Sequence, residues 1–211
     1  MSRPASLAGL VVVACAALAA GYFFARGKPT SDPSPASDPP KAAVPDVRPV
    51  FELADADGVR RSITEWDGKA LMINFWATWC PPCRREIPLL NDLRTRYAPR
   101  GFEVIGVAVD FREDVLSYMR ETPIGYPVLI GEQEGLDAAR AFGMETMGFP
   151  FTIFTDSKGR IVTIHVGELH PPQADVILSA VEDVEAGRLD LESARSRIRD
   201  EMPPGAAARK K

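Results

Sequence analysis

The chain has 211 residues, of which 45% are hydrophobic and 26% are charged, so it is long and apolar enough to form one soluble domain with a full core. A net charge of -4 argues against nucleic acid as its main partner. A zinc site needs four ligands, and the three cysteines have only two distant histidines to join them, so we expect no metal and no organic cofactor.

The amino-terminal segment is predicted to direct export. Residues 7–25 form an uncharged apolar run of 19 residues, about the length that spans a bilayer. Because the run continues past the small residues at 17–19, we predict that residues 1–28 are an uncleaved signal anchor on the periplasmic side of the inner membrane. The alternatives are a cleaved signal peptide, which leaves a soluble periplasmic or secreted domain, and a lipid-modified Cys15. Disulfides form in all of these exported locations.

Composition also defines the two ends of the predicted domain. Proline, serine, aspartate and alanine dominate residues 29–48, and this mixture cannot build a core and is typical of an extended tether. The domain is predicted at residues 49–188. Residues 189–211 are predicted to add one more helix, of undefined role, and a disordered tail that is small, polar and basic.

Strand-like and helix-like patterns alternate through the predicted domain. The strands are predicted at 50–53, 59–63, 71–76, 102–109, 126–130, 151–155 and 161–166, and the helices at 80–97, 115–120, 136–142, 173–186 and 189–202. The turn at residues 57–58 joins the first two strands into a hairpin, and residues 156–159 join the last two. This order predicts an α/β fold in which a central mixed β-sheet lies between helices.

The run Trp79-Cys80-Pro81-Pro82-Cys83 lies between the third predicted strand and the helix that follows it. Two cysteines with this spacing at a helix start can close a small disulfide ring. The helix N-terminus favours the thiolate of the first cysteine, and the thiolate is the species that attacks disulfides. A bare pair of cysteines is also compatible with half of a zinc site. The strand–turn–helix setting favours a reversible redox centre.

Residues 74–86, which read Asn-Phe-Trp-Ala-Thr-Trp-Cys-Pro-Pro-Cys-Arg-Arg-Glu, resemble the active-site segment of the thioredoxin superfamily. The resemblance is strongest to the membrane-anchored TlpA/ResA-type thiol-disulfide oxidoreductases. It covers residues 49–185 and includes Pro88 and the run Gly148-Phe149-Pro150. It implies a thioredoxin-like fold with an N-terminal β-hairpin and a central helix–strand insert, and an N-terminal anchor is usual in that family.

The resemblance implies a role for each residue around the motif. Cys80 is the nucleophile, since its sulfur is expected to face solvent and the helix amides, and Cys83, one turn further in, resolves the mixed disulfide. Pro150 is expected to be cis and to pack beside the disulfide. The residues expected to contact the client are Trp79, Pro81, Pro82, Phe149 and Pro150.

One acidic residue near the cysteines is a further catalytic candidate. Thioredoxins keep a buried aspartate beneath the active site, but the matching position here is Asn74, which cannot exchange a proton at ordinary pH. Glu86 matches an acidic residue of the TlpA/ResA-type proteins, and we predict that it moves protons or tunes the thiol pKa values. The alternative is a solvated helix glutamate beside Arg84 and Arg85.

These features predict an exported, monomeric thiol-disulfide oxidoreductase that reduces the disulfides of client proteins with electrons from a membrane thiol donor. Pro81 and Pro82 lean the site toward reduction, because the family's strong oxidants often carry histidine there. Cytochrome c maturation and metal-site assembly are two candidate roles. The first is weakened by Phe151, which stands where relatives dedicated to cytochrome c maturation often have an acidic residue.

Two alternative functions use the same cysteine pair. The first is a net disulfide oxidase or isomerase in the same fold. The second is a metallochaperone that binds copper through the cysteines, with His165 and His170 as additional ligands. Ordinary strand and loop histidines explain these two positions better than copper ligands do.

Overall fold

The computed structural model describes residues 44–144 and 148–203, and the predicted anchor, most of the predicted tether and the basic tail lie outside these residues. The strands are β1 (Glu52–Asp55), β2 (Arg60–Ser62), β3 (Ala70–Trp76), β4 (Phe102–Ala108), β5 (Val128–Ile130), β6 (Phe151–Thr155) and β7 (Ile161–Val166). The α-helices are α1 (Pro81–Tyr97), α2 (Arg112–Glu121), α3 (Gln133–Ala141), α4 (Pro171–Glu185) and α5 (Leu191–Glu201), and 3-10 helices cover Ile63–Trp66 and Ala98–Arg100.

The strands of the described residues form one seven-stranded mixed sheet in the order β2-β1-β5-β4-β3-β6-β7. The central strands β5, β4 and β3 run parallel, and an antiparallel hairpin lies at each edge. Parallel neighbours need long crossovers, and α1 and α2 provide them between β3 and β4 and between β4 and β5. The predicted mixed sheet and both predicted hairpins are therefore confirmed.

Alternate residues of β3 enter two separate cores. Met72 and Trp76 belong to the core that contains the buried residues of α1 and α4, whereas Ile73 and Phe75 belong to the core that contains those of α3. Every residue of β3 and β4 is buried, as expected for the centre of a sheet that is covered on both faces. The carboxyl end of β3 is thus a rigid base for the loop that carries the cysteines.

The observed helices and strands differ from the predicted ones mainly at their ends. β5 starts at Val128 rather than at 126, because Pro127 has no amide hydrogen with which to pair. The 3-10 helix at Ile63–Trp66 is not predicted by hydrophobic periodicity. Its signal is a capping box, in which the Ser62 amide donates to the carboxylate of Glu65 at 3.1 Å.

The first described residues and the last helix meet at the start of β7. Val47 forms a β-bridge with Arg160, and the Ile161 amide donates to the carbonyl of Asp46 at 2.9 Å. From α5, Arg195 donates to the carbonyl of Ile161 at 2.7 Å. The folded domain therefore extends a few residues into the predicted tether.

The helix predicted near the carboxyl end is present as α5. It buries Ala194 and Ile198, and its Arg197 bonds to Asp183 of α4 at 2.5 Å. Across residues 44–144 and 148–203, none of the helices combines the length and the apolar character that crossing a bilayer requires. The anchor predicted at residues 1–28 lies outside the described residues.

Candidate redox site

The loop between β3 and α1 presents the two cysteines at the start of the helix. Cys80 is the N-cap of α1, with extended backbone angles, and its Sγ accepts the amide hydrogen of Cys83 at 3.3 Å. Pro81 and Pro82 fill the first helical turn, where an amide hydrogen has no helical partner to lose. Cys80 and Cys83 form a disulfide bond.

Both cysteines are buried in this oxidised form. Cys80 is 3% exposed and Cys83 is 0% exposed, and both belong to the core that also contains Trp76 and Ala77. The expectation that Cys80 faces solvent is thus corrected, since the disulfide holds its sulfur at the edge of the core. The neighbouring residue Trp79, in contrast, is 66% exposed. Pro81 is also exposed and Pro82 is half-buried.

A buried carboxylate that sequence reasoning missed holds the loop in place. Oδ2 of Asp110 accepts hydrogen bonds from the amide of Thr78 at 2.9 Å and from its hydroxyl at 2.5 Å, while Oδ1 accepts from the amide of Phe111 at 2.9 Å. Thr78 and Asp110 follow β3 and β4, which are parallel neighbours, so their loops emerge at the same edge of the sheet. Local sequence patterns do not show which strands are neighbours, so they could not predict the contact between Thr78 and Asp110.

The proline loop lies against the cysteine loop. The Phe149–Pro150 peptide bond is cis, as the resemblance implies. The ring of Phe149 lies 5.9 Å from the Trp79 ring in an edge-on arrangement and stacks on Phe151 at 6.2 Å. Phe151 in turn stacks on Phe75 at 4.6 Å. This aromatic ladder joins the exposed edge of the site to the core and brings the predicted client-contact residues together.

Glu86 lies one turn after Cys83 on the buried face of α1. Glu86 is only 1% exposed, and both of its carboxylate oxygens accept hydrogen bonds. Oε1 accepts from the side-chain amide of Asn74 at 2.7 Å, and Oε2 accepts from the backbone amide of Leu169 at 2.8 Å. Asn74 also donates to the hydroxyl of Thr152 at 3.0 Å. The alternative of a solvated helix glutamate is therefore wrong.

The environment of Glu86 makes its carboxyl group titrate near neutrality. Burial raises the pKa of Glu86 to about 7, the hydrogen bonds from Leu169 and Asn74 oppose this rise, and the nearby charge of Glu168 adds to it. Glu168 itself pairs with the exposed Arg85 at 2.5 Å. The site thus contains a buried proton donor and acceptor that is poised at ordinary pH.

The two histidines have local structural roles. His165 is on β7, where burial lowers its pKa and its Nε2 lies 3.4 Å from the carbonyl oxygen of Glu168. His170 is the N-cap of α4 and shares a capping box with Gln173. In the part of the chain that the structure describes, no three side chains of histidine, cysteine, aspartate or glutamate are grouped as metal ligands.

Comparison with known proteins identifies the family. Residues 39–180, well over half of the chain, match the Redoxin family. The chain belongs to this family. Among curated Redoxin relatives, the thiol-disulfide oxidoreductase ResA of Geobacillus thermodenitrificans is 31% identical over 128 residues, which cover 60% of this chain and 71% of the relative. The thioredoxin-like protein YneN of Bacillus subtilis is 34% identical over 127 residues, which cover 57% of this chain and 70% of the relative.

Solved structures of thiol-disulfide interchange proteins are similar to this chain. A thiol:disulfide interchange protein DsbE from Chlorobium tepidum has a TM-score of 0.55 and 25% sequence identity, and the match covers 72% of this chain and 98% of that chain. A thioredoxin family protein from the same organism has a TM-score of 0.53 and 27% identity over 77% of this chain and 99% of that chain. The predicted thioredoxin-like fold is confirmed, and this Redoxin protein is a thiol-disulfide oxidoreductase of the ResA type with a disulfide between Cys80 and Cys83.

Proposed function

We propose that the protein is an exported, membrane-tethered reductase of client disulfides in which Cys80 attacks, Cys83 resolves and Glu86 handles the proton. The observation that carries this proposal is the buried Glu86 carboxyl group, which lies one helical turn after Cys83 and has a pKa of about 7. A carboxyl group with that pKa can accept and return a proton at the working pH.

The first step uses the start of α1. In the reduced protein, the Cys83 amide that lies 3.3 Å from the sulfur of Cys80 donates to its thiolate, and the helix N-terminus adds partial positive charge. The Cys80 thiolate attacks one sulfur of the client disulfide. A bond forms between Cys80 and that sulfur, the client disulfide breaks, and the second client sulfur leaves as a thiolate.

The second step returns the site to its oxidised form. The Cys83 thiol gives its proton to the Glu86 carboxylate, and its sulfur attacks Cys80 within the mixed disulfide. The Cys80–Cys83 bond forms, and the client sulfur leaves as a thiolate that takes a proton from solvent. Two electrons have then passed from the cysteine pair to the client, and a membrane thiol donor must supply two more before the next cycle.

Client contact falls to the exposed residues around the disulfide. Trp79 and Phe149 present adjacent aromatic rings, and the exposed Pro81 lies beside them. The carbonyl of Pro150 accepts the amide hydrogen of Gly167 at 2.8 Å, which fixes the loop in which Phe149 can offer its backbone to an extended peptide. This surface suits a client segment that is extended and carries an apolar residue near its cysteine.

Trapping of the mixed disulfide tests the proposal. Cys83→Ser should accumulate mixed disulfides with exported proteins, cleavable by a reductant, because Cys80 can attack and no thiol resolves the product. Cys80→Ser is the matched control and should trap far fewer partners, because Cys83 lies deeper along the helix than Cys80, which is the N-cap. If Cys83→Ser traps nothing in cells where the wild type is active, Cys80 is not the attacking thiol.

The same experiment separates the candidate roles. Trapped apocytochromes support cytochrome c maturation, trapped copper-site proteins support metal-site assembly, and a broad mixture supports general reduction. Equilibration with glutathione buffers gives the direction. We expect a potential nearer to that of thioredoxin, about -270 mV, than to that of a strong oxidant at about -120 mV, and a value above about -150 mV contradicts net reduction. Stoichiometric binding of copper to the reduced protein would support the metallochaperone alternative.

A further inference from the structure

Three buried polar atoms near Glu86 lack hydrogen-bond partners within the described residues. They are Oδ1 of Asn74, Nε1 of Trp76 and the hydroxyl oxygen of Tyr126. Buried polar atoms in folded proteins are nearly always paired, either with protein groups or with ordered water, because an unpaired one costs about 1–3 kcal/mol. Three such atoms around one carboxyl group therefore need a common explanation.

The sheet places these atoms next to each other. Asn74 and Trp76 are two residues apart on β3, so they share the face that α1 covers, and Gly106 of β4 pairs with Asn74. A Cβ atom on Gly106 would lie 2.9 Å from a ring carbon of Tyr126 and 3.2 Å from Nε1 of Trp76. The rings of Tyr126 and Trp76 therefore both pack over Gly106, which has no side chain, beside the Asn74–Glu86 hydrogen bond.

The hydroxyl of Tyr126 stays protonated in this position. Burial is the main cause of the raised pKa of Tyr126, and the nearby Glu86 and Tyr118 raise it further. It is therefore a hydrogen-bond donor at all ordinary pH values, as is the indole of Trp76, whereas Oδ1 of Asn74 is an acceptor. Two donors and one acceptor beside a carboxylate match the two to four polar partners that a buried water molecule requires.

We propose that Tyr126 is a positioning residue of the redox site: its hydroxyl and the indole of Trp76 hold internal water beside Glu86, and this water carries the proton that Glu86 gains and loses. The inference rests on the proton role given to Glu86 above. When Cys83 has passed its proton to the carboxylate, that proton must leave before the next cycle. The internal water gives that proton an acceptor beside the carboxyl group.

Other charged or titratable groups around Glu86 are placed for different tasks. Glu168, in the loop before α4, is paired with Arg85 at the surface. Tyr118 of α2 is half-buried, and its ring packs against Trp76 at 5.7 Å. Cys83 lies one turn earlier on α1 and is the source of the proton. The hydroxyl of Tyr126 and the indole of Trp76 are thus the two buried donors beside this site that have no hydrogen-bond partner among the described residues.

The test is Tyr126→Phe, with Tyr97→Phe as the matched control. Tyr97 is another tyrosine of the same core, on the last turn of α1 against Phe102, and it lies outside the redox site. The carboxyl carbon of Glu86 is followed by NMR against pH in the oxidised full domain. Tyr126→Phe should raise the midpoint by about one pH unit, since the ionised carboxylate loses water-mediated donation, and Tyr97→Phe should not move it.

A second measurement addresses the water itself. In the wild type, the Trp76 indole hydrogen should give a cross-peak to water, and Tyr126→Phe should weaken or abolish it. A Glu86 titration in Tyr126→Phe that overlays the wild type overturns the proposal. Absence of the water cross-peak in the wild type overturns it as well. These NMR readouts do not depend on exchange activity, so they fail independently of the Cys83→Ser trapping experiment that tests the proposed function.

Discussion

The side-chain amide of Asn74 donates a 2.7 Å hydrogen bond to the carboxylate of Glu86, and this bond joins the strand before the cysteine loop to the helix after it. In the thioredoxins that the sequence resembles, a buried aspartate occupies the strand position. Here the ionisable group sits on the helix and the strand provides a neutral donor. The carboxyl group beneath the disulfide therefore lies on the same helix as Cys83.

The stability of the protein should depend on pH through Glu86. Its pKa of about 7 in the folded state lies above the ordinary value of 4.5, so the folded state binds the proton more tightly than the unfolded state. The stabilisation is complete below about pH 4.5 and is lost as pH rises through 7, by about 3 kcal/mol in total. Denaturant unfolding of the oxidised protein at a series of pH values measures this loss.

Glu86→Gln provides the comparison, because it removes the titrating group and should remove this dependence. Glu113→Gln, on the exposed first turn of α2, should retain the wild-type dependence. His165 contributes the opposite slope below about pH 6.5, because burial lowers its pKa, and this contribution is common to all three proteins. Equal pH dependence in Glu86→Gln and the wild type would show that Glu86 is not the group concerned.

Glu86 should also shape the kinetics of exchange. The rate at which Cys83 resolves the mixed disulfide should change with an inflection near pH 7 in the wild type, and Glu86→Gln should lose that inflection and slow this step by about 10–100-fold. Stopped-flow measurement of insulin or a peptide disulfide checks both. Unchanged rates and an unchanged titration would remove Glu86 from the mechanism and leave it a structural role.

Asp110 should support the cysteine loop. Asp110→Ala removes the acceptor of three hydrogen bonds from the partly buried Thr78 and from the amide of Phe111, so we expect a loss of about 1–3 kcal/mol in the free energy of unfolding and slower exchange. Asp92→Ala, which removes an exposed ion pair with Arg96 on α1, is the control and should change little. An effect of equal size in both variants would contradict a specific role for Asp110.

Gly106 should be required by the packing beneath the site. A methyl group there lies 2.9 Å from the ring of Tyr126 and 3.2 Å from the indole of Trp76, and both rings are buried. Gly106→Ala should therefore reduce stability by about 1–3 kcal/mol through overpacking. A Cβ on Gly148 meets nothing within 4 Å, so Gly148→Ala should be nearly neutral. Thermal unfolding measures the stability of both variants and so tests whether the rings of Tyr126 and Trp76 occupy the space above Gly106.

The predicted anchor makes a separate claim about location. The 19-residue apolar run at residues 7–25 predicts that the full chain stays with the membrane fraction after a carbonate wash. Sequencing of the mature N-terminus completes the measurement. A soluble product that starts near residue 20 would show that the segment is a cleaved signal peptide and that the domain is not tethered.

The sequence predicts the local features of this protein better than its long-range ones. The continuous apolar run at residues 70–76 places β3, and the spacing of Ile87, Leu90 and Leu93 marks the buried face of α1 on which Glu86 also lies. That spacing contains the signal for burial of Glu86, but the charged neighbours Arg84 and Arg85 obscure it. The cis form of the bond before Pro150 follows only from the resemblance, since composition does not determine it.

The partners of the site are less accessible to sequence reasoning. Asp110 meets Thr78, and Tyr126 meets Trp76, across intervals in which a whole helix intervenes. These contacts depend on the strand order β5-β4-β3. The same helices and strands could be arranged in other topologies with a different strand order, and the contacts would then be absent. The residues that surround the redox site are therefore visible only when the sheet is assembled.

The β-bridge between Val47 and Arg160 shows at which end of the sheet the described chain enters the domain. On β7, Val166 pairs with Phe151 next to the cis proline, while Ile161 lies at the other end of the strand, about 16 Å away. The chain enters the domain beside Ile161, through Val47 and its neighbours. Within the described residues, the point at which the chain enters the domain and the loop that carries the cysteines therefore lie at opposite ends of the sheet, so contacts made at one end leave the other free.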